Sequence, residues 1–182
     1  MIWRLALEVL GQVHGAAPRS HLVPLLACWL VLAPLGGVVA LRLAGSRTAA
    51  ALGALAGTAL ALAVSLTLFR YGGQPGGLWR LRTCAVTDPV LLSGDGLANL
   101  ALFAPAAFLA VLAVGRPVRV AAGVSVVSVT VEVLQALRNV GVCDTSDALL
   151  NTLGGLAAVT TAALLRSCLA AVSGSVPCRR SC

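Results

Sequence analysis

Charge is what this chain has least of. Charged residues make up 10% of its 182 positions, and only six are acidic. A soluble domain carries about 25% charged residues, so this chain has too few polar side chains to cover a water-facing surface. With 59% hydrophobic residues, it must bury its outside in lipid. Lysine is absent altogether, and all thirteen positive charges are arginine. They lie scattered between apolar runs rather than clustered. With no recognisable nucleic-acid module, that excludes nucleic acid as a partner. The net charge of +7 suits anionic lipid headgroups or acidic polymers. Histidine is scarce too. His14 and His21 both precede the first long apolar run, which leaves no His to serve a buried site. No metal-ligand set and no cofactor motif is present, so neither metal nor cofactor is expected.

Long apolar runs fill the space that charge leaves. A spanning helix needs about 20 mostly apolar residues. Five segments qualify: Leu22 to Leu41 despite Pro24 and Pro34, Thr48 to Phe69, Leu97 to Val114, Val118 to Leu137, and Ala148 to Leu165. The third is short, and Pro105 should kink it. The fifth can run on past Arg166 to Val172. Continuous runs argue for helices, whereas barrel strands would alternate. The expected fold is therefore all-α, a polytopic membrane helical bundle of about five transmembrane helices. Short connections make most neighbours antiparallel. The longest connection, Arg70 to Gly96, is rich in glycine. Gly53 and Gly57 form a small-residue pair suited to close helix packing.

The start of the chain reads differently. Ile2, Ala6, Val9, Leu10 and Val13 share one helical face, with Arg4, Glu8 and Gln12 elsewhere. That pattern suits a helix lying in the membrane interface; Glu8 and the broken apolar run make a poor signal peptide. The domain plan is an amphipathic segment over 1–20, a transmembrane helix over 21–47, a four-helix region over 48–172 and a tail over 173–182.

Five spans put the two termini on opposite sides. Arg42, Arg47, Arg116, Arg119, Arg166, Arg179 and Arg180 share the side of the C-terminus; Arg4, Arg19, Arg70, Arg80, Arg82 and Arg138 share the other. The totals barely differ, but two very short connections on the first side hold four Arg. That density favours a cytoplasmic C-terminus and an N-terminus outside. Cys84 and Cys143 then face the exterior together and are the candidate disulfide pair, the alternative being two unrelated thiols. Cys28 lies within a span and reads as packing. Cys168, Cys178 and Cys182 would be cytoplasmic.

Half of the carboxylates fall in one stretch, Val131 to Asn151. Glu132 and Gln135 share a helix face, and Ser128 stands one turn before Glu132. Glu132 lies about 9 Å inside the end of its span by helical rise. Asp147 and Asn151 are four apart at the start of the fifth span, and Asp95 and Asn99 repeat that spacing at the start of the third. With Arg138 close by, three helices bring carboxylates and amides to one level. Charge inside a span seldom faces lipid, so Asp95, Asn99, Ser128, Glu132, Gln135, Arg138, Asp147 and Asn151 are expected to line a polar pocket opening outward.

These residues also carry a resemblance. "DGLANLALFAPAAF", "SVTVEVLQALR" and "CDTSDALLNTLGGL" look like the three signature blocks of the VanZ-like membrane proteins. The matching positions are Asn99, Phe103, Pro105, Ser128, Glu132, Gln135, Arg138, Asp147, Asn151, Thr152, Leu153 and Gly154. Ala106 departs from the family's usual Leu-Gly after the proline. The resemblance covers about Leu55 to Val172 and leaves out the first span. It implies a multi-pass protein of the bacterial cell membrane, in a family named for an accessory protein of glycopeptide resistance associated with teicoplanin tolerance. It implies no defined reaction.

Three functional readings follow. In the first, the pocket binds membrane lipid headgroups, a lipid-linked cell-wall precursor or a glycopeptide. In the second, the chain is a membrane-embedded enzyme on a lipid-linked substrate, with Glu132 and Asp147 as acid and base or holding Mg²⁺ with Asn151. No nucleophile stands beside a base, so no catalytic residue is assigned and a non-enzyme is favoured. In the third, the polar cluster only bonds helices together. A transporter is a further alternative.

Overall fold

The computed structural model describes residues 19–69, 93–138 and 144–174. Among the described residues six helices form an all-α bundle with no strand. They are α1 (Arg19–Ala44), α2 (Arg47–Leu68), α3 (Gly94–Leu102), α4 (Ala104–Val114), α5 (Pro117–Arg138) and α6 (Thr145–Gly174). They make five stretches long and apolar enough to cross a membrane, α3 and α4 together forming the third, Gly94–Val114. Residues 1–18 of the amphipathic N-terminal segment, 70–92 of the long connection, and the Cys84–Cys143 pair lie outside the described residues.

Turn chemistry sets the boundaries. Gly45 closes α1 at φ 70, and its N–H donates to Leu41 O at 2.8 Å. Ser46 then caps α2, its hydroxyl accepting from the Ala49 N–H at 3.1 Å. Gly115 ends α4 at φ 65. A left-handed residue without a Cβ satisfies the last carbonyls of a helix at little cost. The third span is broken outright rather than kinked. Pro105 stands in the first turn of α4, where its missing N–H is no loss, so the chain restarts a helix instead of bending one. It also starts at Gly94, earlier than the apolar run suggests, because Ser93 accepts from the Gly96 N–H at 3.0 Å and caps α3.

α4 is central and touches every other helix, while α1 rests mainly on α2. In lipid, helices associate through close packing and hydrogen bonds rather than the hydrophobic effect. The α1–α2 seam illustrates this. A Cβ on Gly36 or Gly53 would overlap the other glycine's carbonyl, and one on Gly57 would overlap Leu32 O. Trp29 Nε1 also donates to Thr58 Oγ1 at 3.1 Å across that seam. Phe103, at the α3–α4 break, is buried among Ala63 and Leu68 of α2 and Val131 of α5. The outward faces are bare apolar side chains, as at Val23, Leu30, Val126 and Leu164. A surface of that kind is stable against lipid tails, not water.

Candidate functional site

The helices bring the described carboxylates to one end. Asp95, Glu132, Asp144 and Asp147 all lie where α3 and α6 begin and α5 finishes. At this end the polar side chains meet in a chain of contacts between helices.

Asp144 stands just before α6. Its Oδ1 accepts from the Ser146 N–H at 2.9 Å, and its carbonyl accepts from the Ala148 N–H at 3.3 Å. That is N-cap geometry, and it fixes the start of α6. Glu132, 5% exposed, reaches this cap from α5 and accepts from the Asp144 N–H through Oε2 at 3.4 Å, a long bond. One turn earlier on α5, fully buried Ser128 donates to Ala148 O at 2.8 Å. Thr152 shares that carbonyl from within α6 at 2.8 Å. Two side chains thus tie α5 to the first turn of α6.

The third helix joins through Asn99, whose Nδ2 donates to Asp147 Oδ1. Two glycines permit these approaches. A Cβ on Gly154 would strike the Leu100 backbone of α3, and one on Gly155 would strike Val124 of α5. The two glycines therefore seat α6 between its neighbours.

Gln135 and Arg138 point toward α2 instead. Gln135 Nε2 donates to Thr67 O at 3.3 Å. The exposed Arg138 guanidinium lies 4.7 Å from the centre of the Phe69 ring, a cation–π stack. Asp95 stands exposed in the first turn of α3, outside the buried contacts. Asn151 is 1% exposed. Its Oδ1 is buried and, among the described residues, has no hydrogen-bond partner; Ser65 Oγ on α2 is the other such atom.

Of the eight pocket residues read from the sequence, the structure joins Asn99 with Asp147 and Ser128 and Glu132 with the start of α6, and it buries Asn151 one turn further on. Gln135 and Arg138 belong to the α2–α5 contact. Other participants lie outside the eight, among them Asp144 and the Ala148 and Thr67 carbonyls. Asp144 carries a cap signal, an Asp immediately before a helix. The Thr67 carbonyl carries none, since any residue has one. A shallow groove bounded by Pro105, Phe108, Leu109 and Ala158 is apolar and includes none of the cluster. Among the described residues no three His, Cys, Asp or Glu side chains gather as a metal set.

Cluster and signature blocks coincide, and comparison with known proteins agrees. No curated protein and no solved structure matches the chain. The model of the family described as VanZ/LLP1 matches residues 22–166, a stretch that takes in α1 as well as the cluster. With most of its length inside that match, the chain belongs to the VanZ/LLP1 family, as a multi-pass membrane protein.

Proposed function

We propose that this chain is a bacterial cell-envelope protein whose carboxylate end binds a polar headgroup in the outer leaflet: a lipid headgroup, a lipid-linked cell-wall unit or a glycopeptide of the teicoplanin type. The observation that carries this reading is Asn151. Its Oδ1 is buried with no partner among the described residues, one turn from Asp147 and beside the Ser128–Ala148 contact. Buried polar atoms are nearly always satisfied, and an orphaned acceptor is suited to a hydroxyl or amide donor brought by a ligand. Glu132, Asp147 and Asn99 add further acceptors and donors at the same end of the bundle. The binding is non-covalent, and no reaction is assigned.

A second reading is supported by Ser128 and Gln135. Both donate to backbone carbonyls of neighbouring helices, as purely structural groups do, each contributing about 0.6 kcal/mol. Two substitutions at Glu132 separate the readings. Glu132→Gln keeps size and hydrogen bonding but removes the charge, whereas Glu132→Leu removes both the charge and the hydrogen bonding. A binding site predicts that cells expressing Glu132→Gln lose teicoplanin tolerance while the protein accumulates normally in the membrane. Normal tolerance at normal membrane level in Glu132→Gln, with Glu132→Leu merely less stable, leaves the structural reading.

A further inference from the structure

Among the described residues, the charges at the end of the bundle opposite the carboxylates are all arginine. Arg42 lies in the last turn of α1 and Arg47 opens α2. Arg116 fills the α4–α5 turn, Arg119 lies in the first turn of α5, and Arg166 reaches the same place from α6. Ala40, Ala49 and Ala113 pack together, which binds the ends of α1, α2 and α4 into one surface. Every described carboxylate lies at the other end, so none of them neutralises these five.

The five are not equivalent. Arg166 Nη1 donates to Leu112 O at 2.8 Å, satisfying a carbonyl of the α4 C-terminus. Its Nη2 abuts Gly115, where a Cβ would lie 2.7 Å away. This holds a third cation beside Arg116. Arg116 is half-buried, Arg119 is exposed, and Val118 between them is 81% exposed. Two guanidinium forks and an exposed apolar side chain thus stand at the same end of a 22-residue span. Such a span is about 33 Å long, which sets its ends at the depth of lipid phosphates. Guanidinium matches phosphate oxygens bidentately. The exposed Val118 suits the glycerol and upper acyl region of an amphiphile, and a free ion would gain nothing from it.

We propose that the α4–α5 corner, through Arg116 and Arg119 with Arg166 behind them, is a binding site for the phosphodiester headgroup of an anionic glycerophospholipid. The site stands apart from the carboxylate cluster and does not depend on its function. The α1–α2 corner carries two arginines as well, but among the described residues no third cation is bonded in place beside them.

The test uses the full chain in lipid nanodiscs and in native mass spectrometry. The parent protein should retain phosphatidylglycerol in preference to phosphatidylcholine. A charge-assisted guanidinium–phosphate contact contributes about a tenfold factor, so the Arg116→Gln/Arg119→Gln double variant should weaken that preference about 100-fold. The Arg42→Gln/Arg47→Gln double variant has the same net charge and removes only diffuse attraction, so its loss should be clearly smaller, at most about 25-fold. Equal losses in the two double variants would reduce the site to diffuse charge and overturn the proposal. So would an unchanged preference in Arg116→Gln/Arg119→Gln. Displacement of the lipid by millimolar inorganic phosphate would overturn it as well, by assigning the corner to a free anion. A circular dichroism spectrum for each variant confirms that the bundle is formed.

Discussion

Asn99 and Asp147 are 48 positions apart in the chain, yet the amide of one donates to the carboxylate of the other and joins α3 to α6. α3 is the short half of a broken span. This bond and the Gly154 contact are its named attachments to α6. Asn99→Ala should lower stability by about 1 kcal/mol, the upper part of the range measured for such bonds in membranes. Asn99→Asp should cost more, because it sets two carboxylates against each other. Unfolding in mixed micelles measures both. An Asn99→Asp protein as stable as the parent would show that the two side chains do not meet.

Glycine 154 allows that meeting. A Cβ there runs into the backbone of Leu100 rather than a movable side-chain tip. Overpacking of this kind costs about 1–3 kcal/mol. Gly154→Ala should destabilise the protein by that amount, and Gly123→Ala, where a Cβ meets open space, should be neutral or slightly stabilising. Equal melting temperatures for the two variants would refute the close α3–α6 approach.

The sequence made the spans legible because lipid demands continuous apolar runs, and runs need no knowledge of neighbours. It made the spacing of Asn99, Ser128, Glu132 and Asp147 legible because helical periodicity places residues on faces. Periodicity does not say which face meets which helix. Gln135 shares a face with Glu132, yet its amide goes to the Thr67 carbonyl on α2. A backbone acceptor leaves no trace in residue types, so that contact could not be read in advance. The break at Phe103 was half legible: Pro105 announced a disturbance, and the burial of Phe103 between α2 and α5 shows why the chain stops there.

Asn151, whose Oδ1 has no partner among the described residues, offers a sharper contrast than the bonded residues. Replacing an unpartnered buried acceptor with an apolar side chain of similar size removes a penalty of about 1–3 kcal/mol. Asn151→Leu should therefore leave the melting temperature unchanged or raised. If the acceptor serves a glycopeptide as proposed, the same variant should lose the teicoplanin tolerance that the parent confers. Gain of stability with full tolerance would remove Asn151 from any binding role, and loss of stability would mean that the amide is bonded after all.

Orientation is the prediction that the charge pattern carries. Arginine-dense short connections favour the cytoplasm, so the Arg116 turn is expected inside and the start of α3 outside. Single-cysteine variants in a cysteine-free background report this directly. Gly94 stands exposed at the start of α3 with open space around its Cα, and Val118 stands exposed at the start of α5. Neither side chain is buried, so a thiol at either position should leave the packing intact. A membrane-impermeant maleimide should label Gly94→Cys on intact cells and Val118→Cys only after permeabilisation. The reverse pattern would put the carboxylate cluster in the cytoplasmic leaflet. It would then be out of reach of any external glycopeptide, and the headgroup it binds would have to be a cytoplasmic one.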